Sequence, residues 1–229
     1  MKILYLDCFA GFSLEKLLGA IVDLGVNSTL VERELKRIDA KITIDVIPVS
    51  RKGVEAKLAV ISAPRKIIDY GSIDAVLENI LNSALKNRVL RVLDIVWQNM
   101  GESYTFEYSE LLCLIAVIIA EFYLEAKKCI ISPVAVTEQS YAHKILKSSN
   151  IEVFYTQNTA CTADVFGSAY LGAYVGEVSA FCNYDIVKTG YGAGAFDADT
   201  PNVLRVAIAD DGINGEFSEL FSEEFLKVT

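Results

Sequence analysis

The sequence predicts a mixed α/β or α+β fold, with helices packed on a mixed sheet that includes one β-hairpin. Three observations carry this. Short strand-like runs and longer stretches of helical periodicity alternate unevenly along the chain. Ile42, Ile44 and Val46, then Val54, Ala56, Leu58 and Val60, alternate with polar residues on either side of a turn at residues 50–53. At 229 residues the chain is also long enough to bury a substantial core, in one large or two small domains.

In chain order, residues 2–7 read as a strand feeding a loop at 8–12. A helix follows over about 14–24, with Ser13 as N-cap and Gly25 as C-cap. A second helix covers about 29–38 and leads into the hairpin. From Ser72 to about Met100, Ile73, Val76, Leu77, Ile80, Leu81, Leu85, Val89, Val92, Leu93 and Trp97 recur at helical spacing. This predicts two helices, broken near residues 86–88. A helix over about 110–126 is apolar all round, which marks it as buried. A strand at 129–136, a short helix at 140–147, a strand at 151–155, a helix at about 163–172 and strands at 184–188 and 203–209 complete one unit, residues 1–209. Residues 210–229 form an acidic tail whose Phe217, Leu220, Phe221 and Phe225 are spaced for an amphipathic helix.

The 52% hydrophobic content and mean hydropathy of +0.35 call for a membrane test. The longest apolar run, residues 111–120, is half of the roughly 20 residues a spanning helix needs, and Glu110 and Glu121 bound it. The opening MKILYLD lacks the pattern of a signal peptide, so a cytoplasmic protein is predicted. A formal charge of −9 and pI near 4.7 disfavour phosphate backbones, so no nucleic-acid partner is expected. Cys8, Cys113, Cys129, Cys161 and Cys182 are odd in number and include no CxxC pair, which reads as reduced thiols. Cys113, Cys129 and Cys182 sit in apolar surroundings and read as core.

Two loops stand out. Gly190, Gly192, Gly194 and Ala195 match the G-x-G-x-x-A form of the dinucleotide fingerprint, but Pro201 and the polar run before it deny the helix that must follow. The block is therefore expected to be a turn with positive-φ glycines. The loop Asp7-Cys8-Phe9-Ala10-Gly11-Phe12 follows a strand and precedes a helix, where α/β folds place binding groups. Asp7 there can ligate a metal or cap its own loop, and Cys8 can supply a thiolate. The single histidine, His143, sits on a helix beside Lys144 and cannot make a multi-histidine site.

The DCFAGFS loop with the helix ending LGAIVDLGV, the block KTGYGAGAFDADTPNVLRV at 188–206, and Ile131-Ser132-Pro133 resemble the LarC family over nearly all of residues 1–209. That resemblance implies an accessory protein that inserts nickel into a pyridinium-bisthiocarboxylate mononucleotide, using CTP and Mn²⁺ or Mg²⁺. The nucleotide site of the family lies in a second domain, which the resemblance does not reach and which is expected to be absent here. Several matched positions depart from the family. Its HFHE motif aligns with Tyr104-Thr105-Phe106-Glu107, two aspartates on the next helix align with Leu112 and Ala116, and a histidine-bearing segment aligns with residues 65–71. GDM appears as Leu14-Glu15-Lys16 and a TPTG turn as Asp164-Val165-Phe166-Gly167. The resemblance therefore implies a retained scaffold in which only Glu107 remains of the HFHE motif and the metal site is lost.

The candidate catalytic residues are Asp7 and Glu107. The candidate cofactor-binding residues are Cys8, Gly11, Gly190, Gly192 and Gly194, and the candidate metal ligands are Asp7, Cys8 and Glu107. No cofactor is expected in this chain itself, nickel and CTP with Mn²⁺ or Mg²⁺ being implied by the family alone. Three readings stand: a non-catalytic LarC-like protein that binds a full-length LarC-like protein or a cofactor precursor; a nickel-insertion enzyme completed by a separate chain carrying the second domain; and a plain interaction module. Self-association is compatible with each.

Overall fold

The computed structural model describes residues 1–78, 80 and 82–210. Leu81 and the expected tail helix with Phe217, Leu220, Phe221 and Phe225 lie outside the described residues. The elements in order are β1 (Lys2–Asp7), α1 (Leu14–Asp23), α2 (Ser28–Leu35), β2 (Thr43–Arg51), β3 (Val54–Ser62), β4 (Ile67–Ile68), α3 (Ile73–Leu77), α4 (Ser83–Met100), β5 (Phe106–Glu107) and α5 (Tyr108–Leu124). They continue with β6 (Lys128–Ile131), β7 (Val134–Val136), α6 (Tyr141–Ser148), β8 (Val153–Tyr155), α7 (Val165–Tyr174), β9 (Glu177–Val178), β10 (Asp185–Ala193) and β11 (Val203–Asp210).

Seven strands form one mixed sheet in the order β2-β3-β10-β11-β1-β6-β9. The predicted α/β class and the hairpin β2–β3, closed by Lys52 and Gly53 at positive φ, are both present. Strand alternation sorts side chains between two faces. Leu4, Leu6, Leu204 and Val206 point into the main core with α1, α4, α5 and α7, whereas Ile3, Tyr5, Ala207 and Ala209 cluster with Ile130 on the other face. Helix α5 lies at the centre of the main core, and Leu111 through Val117 are buried along it. Among the described residues no helix is long and apolar enough to cross a membrane.

Three expectations about elements are corrected. The break in the 72–100 segment falls between Leu77 and Ser83 rather than at 86–88, because the Asn82 side chain caps α4 by accepting from the Leu85 N–H at 3.0 Å. Residues 86–88 are a polar turn of α4 between buried Leu85 and Val89. The strand expected at 129–136 is two strands. Pro133 has no N–H to donate, and Ser132 turns its Oγ to the Cys8 N–H at 2.8 Å, so β7 leaves the main sheet and pairs with β8. The glycine block is no turn: Gly190 and Gly192 lie within β10, and none of Gly190, Gly192 and Gly194 has positive φ.

Candidate functional site

The glycines of β10 are explained by the helix above them. A Cβ on Gly192 would overlap the Lys16 carbonyl, and one on Gly190 would come within 2.5 Å of the Ala20 carbonyl. Gly19 completes the fit from the helix side, where a Cβ would overlap the Lys57 carbonyl of β3. Helix α1 thus lies on the sheet at backbone distance, and the space that a phosphate would need beside Gly190 and Gly192 is filled by it. Beneath it β10 and β3 pair only at Gly192 and Lys57. The N–H of Tyr191 is satisfied by Asp23 at the end of α1, at 2.9 Å.

At its other end α1 meets two more helix starts. Gly11, at φ +73°, turns the loop after β1 and donates to the Cys8 carbonyl at 2.9 Å. The Asp164 N–H donates to Phe12 at 3.2 Å, and the Ala163 N–H donates to Ala135 at 2.9 Å, so α7 begins against the residue that precedes the N-cap of α1. The Phe106 ring packs edge-on against Phe166 at 4.9 Å, bringing the start of α5 to the first turn of α7. The N-termini of α1, α5 and α7 therefore converge.

Each carries a carboxylate, as helix N-termini favour. Glu15 lies in the first turn of α1. Asp164 caps α7 by accepting from the Gly167 N–H at 2.6 Å. Glu107 and Glu110 form a capping box on α5, with Glu110 accepting from the Glu107 N–H at 2.9 Å. Crowding of its carboxyl, helped by Glu15 and Glu110 and opposed by the Gly167 N–H and Lys16, pushes Asp164 up to about 7, although the residue as a whole is exposed and solvent tempers the effect. Burial raises Glu110 as well, with Glu15 and Glu107 adding to it against the Glu107 N–H. Among them stands one buried cation, Lys16, 3% exposed, whose Nζ donates to the Ala10 carbonyl at 2.7 Å. Burial lowers its pKa, and Cys161, Asp164, Cys8 and Glu15 pull it back up.

The sequence-predicted residues divide between places. Asp7 is ion-paired through Oδ2 with Nη2 of Arg205 at 2.7 Å, on the sheet face away from α5. Cys8 lies below the helix starts with its thiol buried and raised well above the usual range, first by that burial, and its Sγ lies 3.7 Å from the Leu6 carbonyl. Glu107 is exposed at the start of α5, where Ile67 pairs with it and Arg65 and Lys66 line the same shallow cleft. Asp7 and the glycine block share one end of the sheet, since Asp7 pairs with Arg205 and Arg205 with Tyr191. The structure thus places Asp7 and Glu107 apart. Among the described residues no three His, Cys, Asp or Glu side chains stand close enough together to hold a metal ion. Leu112 and Ala116 are both 0% exposed, packed within the core.

Sequence reasoning did not single out Glu15, Lys16, Glu110 or Asp164 as site residues. A usable signal was present, because each falls on, or within three residues of, a segment matched to a LarC motif, and each lies in the first turn or at the cap of a helix.

Fold and site together define a mixed α/β protein whose convergent helix starts carry acidic side chains around a buried lysine. Comparison with known proteins gives the proteins to which it is similar. The family model described as "Nickel insertion protein" matches residues 4–105. A "pyridinium-3,5-bisthiocarboxylic acid mononucleotide nickel insertion protein" of Clostridium kluyveri is 28% identical over 100% of this chain and 66% of its own length. A protein of the same description from Staphylococcus epidermidis is 26% identical over 90% of this chain and 58% of its own. A "putative nickel insertion protein" of Wolinella succinogenes is 26% identical over 97% of this chain and 64% of its own. The chain is similar to nickel insertion proteins, in line with the LarC resemblance of its sequence, and it spans less than two thirds of the length of these three. No solved structure matches it.

Proposed function

We propose that this chain acts in nickel-pincer cofactor assembly as a non-catalytic member of the nickel insertion family, binding a full-length family protein or a cofactor precursor. The observation that carries this is the packing at positions 112 and 116. Where the resemblance implies carboxylates one turn apart, Leu112 and Ala116 are sealed in the core, and an aspartate placed there would be desolvated with no cation to compensate it. Nickel held tightly needs several convergent N, S or O donors. The candidate ligands Asp7 and Glu107 stand apart, and the Cys8 thiol is buried and held protonated. Nickel is the cargo of the family reaction, and CTP with Mn²⁺ or Mg²⁺ is assigned by the resemblance to a domain beyond the matched region; no step of this chain is routed through them.

Titration of the tag-free protein with Ni²⁺ at neutral pH tests this reading. The expected result is a Kd no tighter than about 10⁻⁴ M, or about 5.5 kcal/mol of binding. Stoichiometric micromolar binding lost on Glu107→Ala or Asp7→Ala favours the second reading, an enzyme completed by a separate chain. The carboxylates gathered at three converging helix starts are the observation on its side.

A further inference from the structure

We propose that the long free edge of the main sheet, strand β2, is held closed against a second copy of this chain by Glu32, Pro48 and Arg51. The inference concerns self-association, goes beyond the proposed function, and stands whether or not the chain inserts nickel.

Among the described residues, β2 is the outermost strand on its side of the sheet and runs for nine residues, whereas β9 at the opposite edge has two. A long outer strand presents a row of N–H and C=O groups with which a further strand can pair. The one neighbour of β2 is β3, in an unbroken antiparallel register from Thr43 to Arg51, so its backbone groups point outward at every second residue. The Ile44 N–H fixes which residues these are, since it donates to Oε2 of Glu32 on α2 at 2.8 Å. Ile44, Val46, Pro48 and Ser50 therefore face out. Ile47, between them, is 45% exposed, so the strand offers apolar surface as well.

Three of those four positions are compromised. Glu32 occupies the Ile44 N–H, and its other oxygen, Oε1, accepts from Lys36 Nζ at 2.5 Å, which fixes the carboxylate in place. Pro48 has no N–H to give. Arg51 donates through Nη1 to the Ser50 carbonyl at 3.4 Å, while its Nε and Nη2 hold the Gly194 carbonyl at 3.1 and 2.9 Å.

Two copies of one edge pair antiparallel about a twofold axis. With that axis at Ile47, Ile44 meets Ser50 of the other copy and Val46 meets Pro48. The bond from the Ile44 N–H to the Ser50 carbonyl is then blocked at both ends, by Glu32 and by Arg51. The bond from Pro48 to Val46 has no donor. Half of the ladder is lost, and each pair keeps a single bond.

The test compares wild type with Glu32→Ala/Pro48→Val, which frees the Ile44 N–H and restores the missing donor. Sedimentation equilibrium at pH 7.5 measures self-association, and amide exchange at Val46 and Ser50 is followed as protein concentration rises. The double variant is expected to associate at least about tenfold more tightly than wild type and to protect Val46 and Ser50 as it does so. In the wild type, exchange at both positions should not depend on concentration. Glu32→Gln removes the charge and keeps an oxygen for Ile44, so it should behave as wild type. A double variant that associates and exchanges like wild type overturns the proposal. So does association without protection of Val46 and Ser50, concentration-dependent protection in the wild type, or a Glu32→Gln protein that associates like the double variant. If the double variant is recovered unfolded, Pro48→Val alone is read by the same criteria.

Discussion

The Asp164 backbone N–H donates to the Phe12 carbonyl at 3.2 Å, tying the first residue of one helix cap to the residue before the cap of another. The bond spans 152 positions of sequence, 164 minus 12, and it makes the junction of α1 and α7 part of the fold. Gly167 extends the same contact, since a Cβ there would stand 2.6 Å from the Phe12 oxygen. The site is therefore assembled by backbone packing first and side-chain chemistry second, and the predictions below separate the two.

Gly192→Ala is expected to destabilise the protein by at least about 2–3 kcal/mol, because the new methyl would overlap the Lys16 carbonyl and neither backbone has room to yield. Gly53→Ala is the control. Gly53, at φ +84° in the hairpin turn, has open space where the alanine methyl would stand, with nothing within 4 Å, so only backbone strain of about 1 kcal/mol applies. Urea unfolding of both variants checks the ranking, and equal losses would show that α1 does not depend on close contact with β10.

Much of this was legible in the sequence, and what was not has physical reasons. The alternation of Ile42 to Val60 declares the hairpin but not its faces: Ile44 and Val46 sit opposite Ile61 and Ala59 on the main core, whereas Val54, Ala56 and Leu58 lie on the other face and Val60 is exposed. The unbroken apolar run of α5 declares a central helix, because there local pattern and burial agree. Gly190 and Gly192 misled because a glycine kept for a close helix approach and one kept for positive φ look the same in sequence. Ser132-Pro133 splits a strand that reads as continuous by hydrophobicity alone. The site was harder still. Glu15, Glu110 and Asp164 each look like an ordinary first-turn acid, and only the three-dimensional meeting of their helices makes them neighbours.

Asp164 should make stability fall as pH rises. Its folded value of about 7 exceeds the roughly 3.9 of an unfolded aspartate, so between these values the native state binds the proton more tightly. Stability from this group is present below about pH 4 and is lost as pH climbs through 7. Asp164→Asn keeps an oxygen to cap Gly167 and removes the charge. It is expected to stabilise the protein at pH 8 by about 1 kcal/mol, a figure discounted for the solvent exposure of the residue, and to do nothing at pH 4. Urea midpoints at pH 4, 6 and 8 decide it, and a pH-independent effect would contradict the assignment.

A second charged group lies between α4, α5 and α7. Glu121 accepts from Arg88 Nη2 at 2.9 Å and from the Tyr170 hydroxyl, while the Arg88 guanidinium carbon lies 4.6 Å from the centre of the Tyr174 ring. Burial raises the Glu121 pKa despite Arg88 and Tyr170. Arg88→Met removes the cation and leaves that carboxylate behind, with an expected loss of about 2–3 kcal/mol at pH 8. The loss should shrink at acid pH, where Glu121 is protonated in either protein, and Glu121→Gln in the same chain should restore part of it. A double variant no more stable than Arg88→Met alone would show that the pair acts through packing and not through charge.

The most direct test of the sealed core is to write the implied carboxylate back. Leu112 is 0% exposed on α5, surrounded by the apolar side chains of the main core, and its neighbour one turn on, Ala116, is equally buried. Leu112→Asp exchanges a packed isobutyl group for a carboxylate that finds neither water nor a cation. Loss of the leucine alone costs about 2–5 kcal/mol, and burying the acid adds to it. The variant is therefore expected to be unfolded, or to fold only at low pH with its carboxyl protonated, and added Ni²⁺ should not rescue it at neutral pH. Circular dichroism of Leu112→Asp and of Leu112→Asn, with and without 1 mM Ni²⁺ at pH 7, reads this out. A folded Leu112→Asp protein whose unfolding midpoint rises with nickel would mean that position 112 still opens onto a metal-accessible cleft, and the non-catalytic reading would fall with the sealed core on which it rests.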